Sequence, residues 1–225
     1  NNIPRINPGT SEIVSISMLS TGSRTEDWTL TWDDSNLPDG WSINPDINQN
    51  LNPTLVPGIG NDVDFVVSIP QSALGDDNSY VIMTLTLDLD QSITFDTILP
   101  LEVLRTRGLT IVGPSGLDST SGYGRPGDIA TAWMMVENLG NAYESTTSID
   151  WTAPSWGGTP TLHDQTGTEI FSLNLAPGEQ KELFVHLNTP QNIQLSSVTA
   201  STMTMCIGSG AETLCEELFV NLTAS

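Results

Sequence analysis

Positive charge is scarce in this chain. Lys181 is the sole lysine, and the 225 residues carry six Lys and Arg against 27 Asp and Glu, a formal net charge of −21. Such a surface repels polyanions, which excludes nucleic acid and anionic membranes as partners. It suits a salty or extracellular medium whose ions screen self-repulsion, or it serves solubility alone. Long apolar runs are missing too: none approaches the roughly 20 residues of a membrane-spanning helix, so no insertion of that kind is expected in this segment. Cysteine is limited to Cys206 and Cys215, too few for a disulfide-rich scaffold. No stretch of ten or more residues keeps a helical period without internal Gly, Pro or β-branched runs, which removes the helical fold classes. The opening NNIPRINPGT lacks the basic end and apolar core of a signal peptide, so the chain is expected to be a mature form or an excised piece of a longer one.

What the chain does have is a repeated segment. LVPGIGNDVDFVVSIPQ at 55–71 is answered by LAPGEQKELFVHLNTPQ at 175–191. Pro57, Gly58, Pro70 and Gln71 recur 120 residues later as Pro177, Gly178, Pro190 and Gln191. Between these turns Val63, Phe65 and Val67 map onto Leu183, Val185 and Leu187. Apolar residues at every second position mark a strand with one buried face, and the flanking prolines bound it. At the same offset Met83, Leu85 and Leu87 map onto Met203, Met205 and Ile207. Upstream, with a slightly different offset, Pro8-Gly9 and EIVSISMLSTGS answer Pro126-Gly127 and DIATAWMMVENLGN. Each then runs into a tryptophan-bearing strand, DWTLTW with Trp28 and Trp32, or SIDW with Trp151.

This is an internal duplication. Short strands with turn signals every ~8–12 residues predict an all-β protein of two consecutive antiparallel β-sandwiches, residues 1–105 and 106–225. Arg105 and Arg107 in VLRTRG mark the junction, read as a solvated linker or as a joint contacting acidic neighbours. The second unit has an extra leading strand at 109–112, ahead of a long loop, GPSGLDSTSGYGRPG. The first has only NNIPRIN there, so its first strand is expected to be short or missing. Either the chain is cut from a longer string of such domains, or a neighbour supplies the strand.

In the first unit NLPDGW, LVPG and IPQSALGDDNSYVIMTLTL resemble the Ig-like domain appended to α-galactosidases and to large archaeal and bacterial surface proteins. In the second, VENLGN and LAPGEQKELFVHL are similar to the cell-adhesion-related domain of bacteria, also Ig-like. The resemblance covers most of both units. It implies Ig-like sandwiches in an extracellular or cell-surface protein of archaeal or bacterial origin, and a spacer or adhesion role. Marine and halophilic sources are in keeping with the acidity. It implies no catalytic residues and no cofactor. The second unit departs from the pattern, with APSWGG where LPDGW would stand.

Little in the chain reads as chemistry. There is no Gly-x-Ser-x-Gly elbow, and His163 and His186 have neither a nucleophile nor a second histidine near them in sequence, so the chain is read as non-enzymatic. Three clusters offer oxygens of the kind calcium takes: Asp33, Asp34, Asn36 and Asp39; Asp76, Asp77 and Asn78; Asp88 and Asp90. None has the spacing of an EF-hand loop, and Asp and Asn are also ordinary turn residues. Trp28, Trp32, Trp41 and Trp156 are either core or a sugar-stacking platform, with Trp156 in SWGG the candidate for exposure. Asn221-Leu222-Thr223 is a glycosylation sequon.

The first functional reading is therefore a non-catalytic spacer or adhesion segment of a secreted or surface-anchored protein. Its partners would be neighbouring domains of the same or like chains, or an extracellular protein or glycan. A carbohydrate-binding or enzyme-accessory module is the second reading. The third is a subunit of an extracellular filament or surface layer, completed by strand exchange.

Two structural expectations follow. Val63, Phe65, Val67, Leu183, Val185 and Leu187 should be buried, with Asp64, His186 and Asn188 exposed. In the last two strands Met203, Met205, Ile207, Leu218, Val220 and Leu222 read as inward, leaving Cys206 and Cys215 outward. A hairpin through GSGAE that pairs 206 with 215 keeps inward residues opposite inward ones, so a cross-strand disulfide is expected. It would place the chain in an oxidising compartment.

Overall fold

A computed structural model describes residues 3–225, and the chain divides into two compact units between Arg105 and Thr106. Both are antiparallel β-sandwiches of the Ig-like class. The only helical turns among the described residues are two three-residue 3-10 pieces.

The first unit contains β1 (Arg5–Ile6), β2 (Ser11–Leu19), β3 (Glu26–Asp33), β4 (Ser42–Pro45), β5 (Thr54–Leu55), β6 (Gly60–Ser68), β7 (Asn78–Leu87) and β8 (Thr94–Val103). One sheet has the order β1-β8-β7-β3-β5 and the other β2-β6-β4. Their inner faces enclose a core built on Trp28, Leu30, Trp41, Phe65, Val81 and Met83. Strand β6 shows why the sequence folds this way. Val63, Phe65 and Val67 alternate with polar neighbours, so one register buries all three, and a slip by one would expose them.

The second unit contains β9 (Leu109–Val112), β10 (Ser119–Gly124), β11 (Ile129–Asn138), β12 (Glu144–Trp151), β13 (Thr161–His163), β14 (Asn174–Leu175), β15 (Gln180–Asn188), β16 (Val198–Ile207) and β17 (Leu214–Ala224). The strands form one continuous sheet in the order β13-β15-β11-β10-β17-β16-β12-β14, with β9 also on β11. The duplication is exact in register: Ser11 pairs with Ser68 and Leu19 with Gly60, as Ile129 pairs with Asn188 and Glu137 with Gln180. Strand β2 thus answers β11 at an offset of 118, and β6 answers β15 at 120.

Two expectations need correction. The stretch read as a long loop after Val112 contains β10, which runs parallel to β17 from Ser119↔Phe219 to Gly124↔Ala224. Its sequence, STSGYG, carries no apolar alternation because β10 crosses too close to β11 for side chains. A Cβ on Gly122 would lie 2.1 Å from the Thr131 carbonyl oxygen, and one on Gly124 2.5 Å from the Ala130 Cα. Asp64 and His186, expected to be exposed, are half-buried, whereas Asn188 is exposed. Asp64 accepts a short hydrogen bond from Ser15 across the β2–β6 ladder, and the His186 ring is covered by a neighbouring histidine.

Candidate functional site

Cys206 and Cys215 are directly opposed on β16 and β17 and joined by a disulfide, with Thr204 opposite Glu217 and Met203 opposite Leu218. The inward partners of this register, Met203, Met205, Ile207 and Leu218, have no exposed surface.

The acidic clusters are engaged as turns. Asp33 accepts from the Ser35 N–H at 2.9 Å and Asp90 from the Ser92 N–H at 3.0 Å, and the serine hydroxyls, followed by these N–H groups, hold both carboxyls below the usual carboxylate range. Asp76 pairs with Arg105 at 2.5 Å, Asp77 accepts from the Leu74 N–H at 2.9 Å, and Asp88 accepts from the Thr29 hydroxyl at 2.8 Å. Asp34 and Asp39 are exposed. Among the described residues no group of three or more His, Cys, Asp or Glu side chains is disposed to hold a metal ion.

Trp28, Trp32, Trp41 and Trp156 pack against the cores. Trp28 and Trp41 are buried in the first core, and Trp32 packs against it edge-on to Phe65, with ring centroids 5.5 Å apart. Trp156, expected to be exposed, is half-buried and packs against the second core, with its indole N–H enclosed. The paired glycines Gly157 and Gly158, both at positive φ, fold the SWGG loop tightly after it. Its ring is therefore not an open stacking platform. Asn221 is half-buried in mid-sheet, on β17 between β10 and β16.

Sequence reasoning missed one constellation. Strand β13 pairs Thr161 with His186 and His163 with Phe184, which puts the two histidines on diagonal positions of one face. Their rings stack at 4.1 Å. His163 is fixed by the Thr161 hydroxyl at 2.9 Å and the Gly167 carbonyl at 3.1 Å. Burial, and secondarily the charge of His163, lowers the pKa of His186 from its ordinary value.

A concavity lies in the first unit. Among the described residues strand β2 is bonded to β6 alone, and β8 is bonded to β7 along its length but to β1 only at Glu102 and Val103. Between β2 and β8 the sandwich opens into a groove of about 620 Å³, lined by Met18, Leu19, Glu26, Trp28, Leu85 and Phe95 among others. The Trp28 and Phe95 rings meet there at 5.7 Å, and the buried Trp28 indole N–H has no hydrogen-bond partner among the described residues.

No protein-family model and no curated protein matches the chain. Solved structures that it resembles include the ASH/PapD-like domain of human CEP192, at 13% identity over 52% of this chain and 84% of that one, TM-score 0.36. Others are the CupB2 chaperone of Pseudomonas aeruginosa (12% identity, 96% and 98% covered, TM-score 0.29) and the CooA pilin subunit of enterotoxigenic Escherichia coli (8%, 52% and 98%, TM-score 0.32). These are β-sandwiches of the PapD-like and Ig-like kind. At such identities and scores the likeness carries no functional information. No described helix is long and apolar enough to cross a membrane.

Proposed function

We propose that the chain is a non-catalytic spacer or adhesion segment of an exported prokaryotic protein. The observation that carries this reading is the Cys206–Cys215 bridge on a duplicated, strongly acidic sandwich. A bond of this kind persists in an oxidising compartment, where an acidic and nearly lysine-free surface also stays soluble. Each unit encloses a hydrophobic core of its own, so each supplies a stiff folded body. The half-buried Trp156 speaks against the carbohydrate-binding reading, because sugar stacking needs an open aromatic face.

Glycan-array binding together with sedimentation velocity tests the proposal. The expected result is a monomer that retains no glycan. A retained glycan that is lost on Trp156→Ala would replace the proposal with a carbohydrate-binding module. Concentration-dependent polymers would replace it with a filament subunit.

A further inference from the structure

We infer that His163 and His186 form a two-imidazole site for a divalent transition-metal ion, Cu2+ above all, on the solvent face of the second unit. This goes beyond the spacer reading and does not depend on it.

The chain has two histidines, and the fold brings both to one spot. The pairing of Thr161 with His186 sets them on diagonal positions of one face and stacks their rings. Leu162, Val185 and Leu187 are buried in the core, so the alternation of the strands turns both imidazoles outward. Strand β13 is the edge of its sheet and neither ring is fully buried, so an ion reaches them from solvent. The first unit has no such pair. By register Val66 stands at the place of His186 and Asp46 at that of His163.

The hydrogen bonds prepare one nitrogen as a ligand. The Gly167 carbonyl can only accept, so Nδ1 of His163 carries the proton and donates to it. In the neutral ring the lone pair then sits on Nε2, which accepts from the Thr161 hydroxyl at 2.9 Å. A metal-ligating histidine donates its other ring N–H to a carbonyl or carboxylate in the same way, which fixes tautomer and ring orientation. His186 forms no side-chain hydrogen bond among the described residues, so none is broken when its ring turns about the Cβ–Cγ bond. With the ring centroids 4.1 Å apart, such a turn is enough to place one ion against both rings, each metal–imidazole bond being ~2.0–2.1 Å.

Chemistry selects the ion. Imidazole suits Cu2+, Ni2+ and Zn2+, whereas Ca2+ and Mg2+ take oxygen, and among first-row divalent ions Cu2+ binds tightest. Two protein ligands leave the remaining positions to water. The surroundings favour a cation. Glu169 opposes His163 in an antiparallel bridge, is exposed, and forms no ion pair among the described residues. The chain as a whole carries a formal charge of −21. An ion held here ties β13, an edge strand of three residues, to its neighbour β15.

Isothermal titration calorimetry of the intact 225-residue protein with CuCl2 reads the site, in excess calcium that occupies surface carboxylates. A single Cu2+ per chain is expected, with Ni2+ and Zn2+ binding more weakly. His163→Gln and His186→Gln should each weaken Cu2+ by at least about tenfold, with cooperative metal-free unfolding showing that the unit is folded. Thr161→Val removes the hydroxyl that competes for Nε2 and should strengthen binding. Electron paramagnetic resonance of the parent protein needs no variant and should show nitrogen coupling from two imidazoles. Bound Cu2+ should also raise the melting temperature of the second unit and leave that of the first unchanged. Equal copper binding by the double variant His163→Gln/His186→Gln, or coupling from one imidazole only, would overturn the proposal. So would a loss on replacing one histidine and none on replacing the other.

Discussion

Cys206 and Cys215 face each other across the β16–β17 ladder with their Cα atoms 4.1 Å apart, while the corresponding opposed pair of the first unit is Thr86 and Thr94. The bridge closes a short loop, so its stabilising effect through the unfolded chain is about 2–3 kcal/mol at most. Joint replacement by Ala, or reduction, should lower the unfolding transition of the second unit by that amount and leave the first unit unchanged. Thiol titration of the denatured, unreduced protein should find no free thiol. Two free thiols would remove both the bridge and the argument for export.

The stacked pair His163 and His186 makes the second unit sensitive to acid. The folded pKa of His186 is lowered, so below its ordinary value of about 6.5 the unfolded chain binds more protons than the folded one. Stability from this group is therefore complete above about pH 6.5 and is lost as pH falls toward the lowered folded value. Melting temperatures at about pH 7.5 and about pH 5.5 should differ more in the parent protein than in His186→Gln. Equal pH dependence in both would show that the stacking leaves the titration untouched.

Gly122 and Gly60 separate two uses of glycine in strands. A Cβ at Gly122 would meet the Thr131 backbone at 2.1 Å, whereas one at Gly60 meets nothing within 4 Å. Gly122→Ala should destabilise the second unit by about 3 kcal/mol. Gly60→Ala should leave the first unit unchanged or stabilise it by about 0.5 kcal/mol. Denaturant unfolding of the two variants, fitted per unit, checks both.

Strands that bury side chains were legible in the sequence, because Val63, Phe65 and Val67, or Leu183, Val185 and Leu187, repeat with the period of the pleat. Strand β10 was not, because its place is set by backbone proximity and its residues are chosen for lacking bulk. The histidine stack was hidden for a different reason. Only the pairing of the three-residue β13 with β15 brings residues 23 positions apart into contact, and so short a strand has no periodicity to read. The groove was half legible. The shortness of the first strand was visible in NNIPRIN, but the uncovered inward positions at Leu85 and Thr97 depend on register.

The parallel pairing of β10 with β17 also has a mechanical meaning. Strands β9 and β10 both run antiparallel to β11, and β17 runs parallel to β10, so the polypeptide comes into the second unit at one pole and leaves at the other. Tension between those ends pulls along the strands. It loads the six-residue ladder from Ser119 to Gly124 in shear, so its hydrogen bonds share the force together instead of unzipping singly. Among the described residues of the first unit the matching ladder is two residues long, Arg5 with Glu102 and Ile6 with Val103. Among the described residues, the ladder that shares such a load is therefore longer in the second unit than in the first.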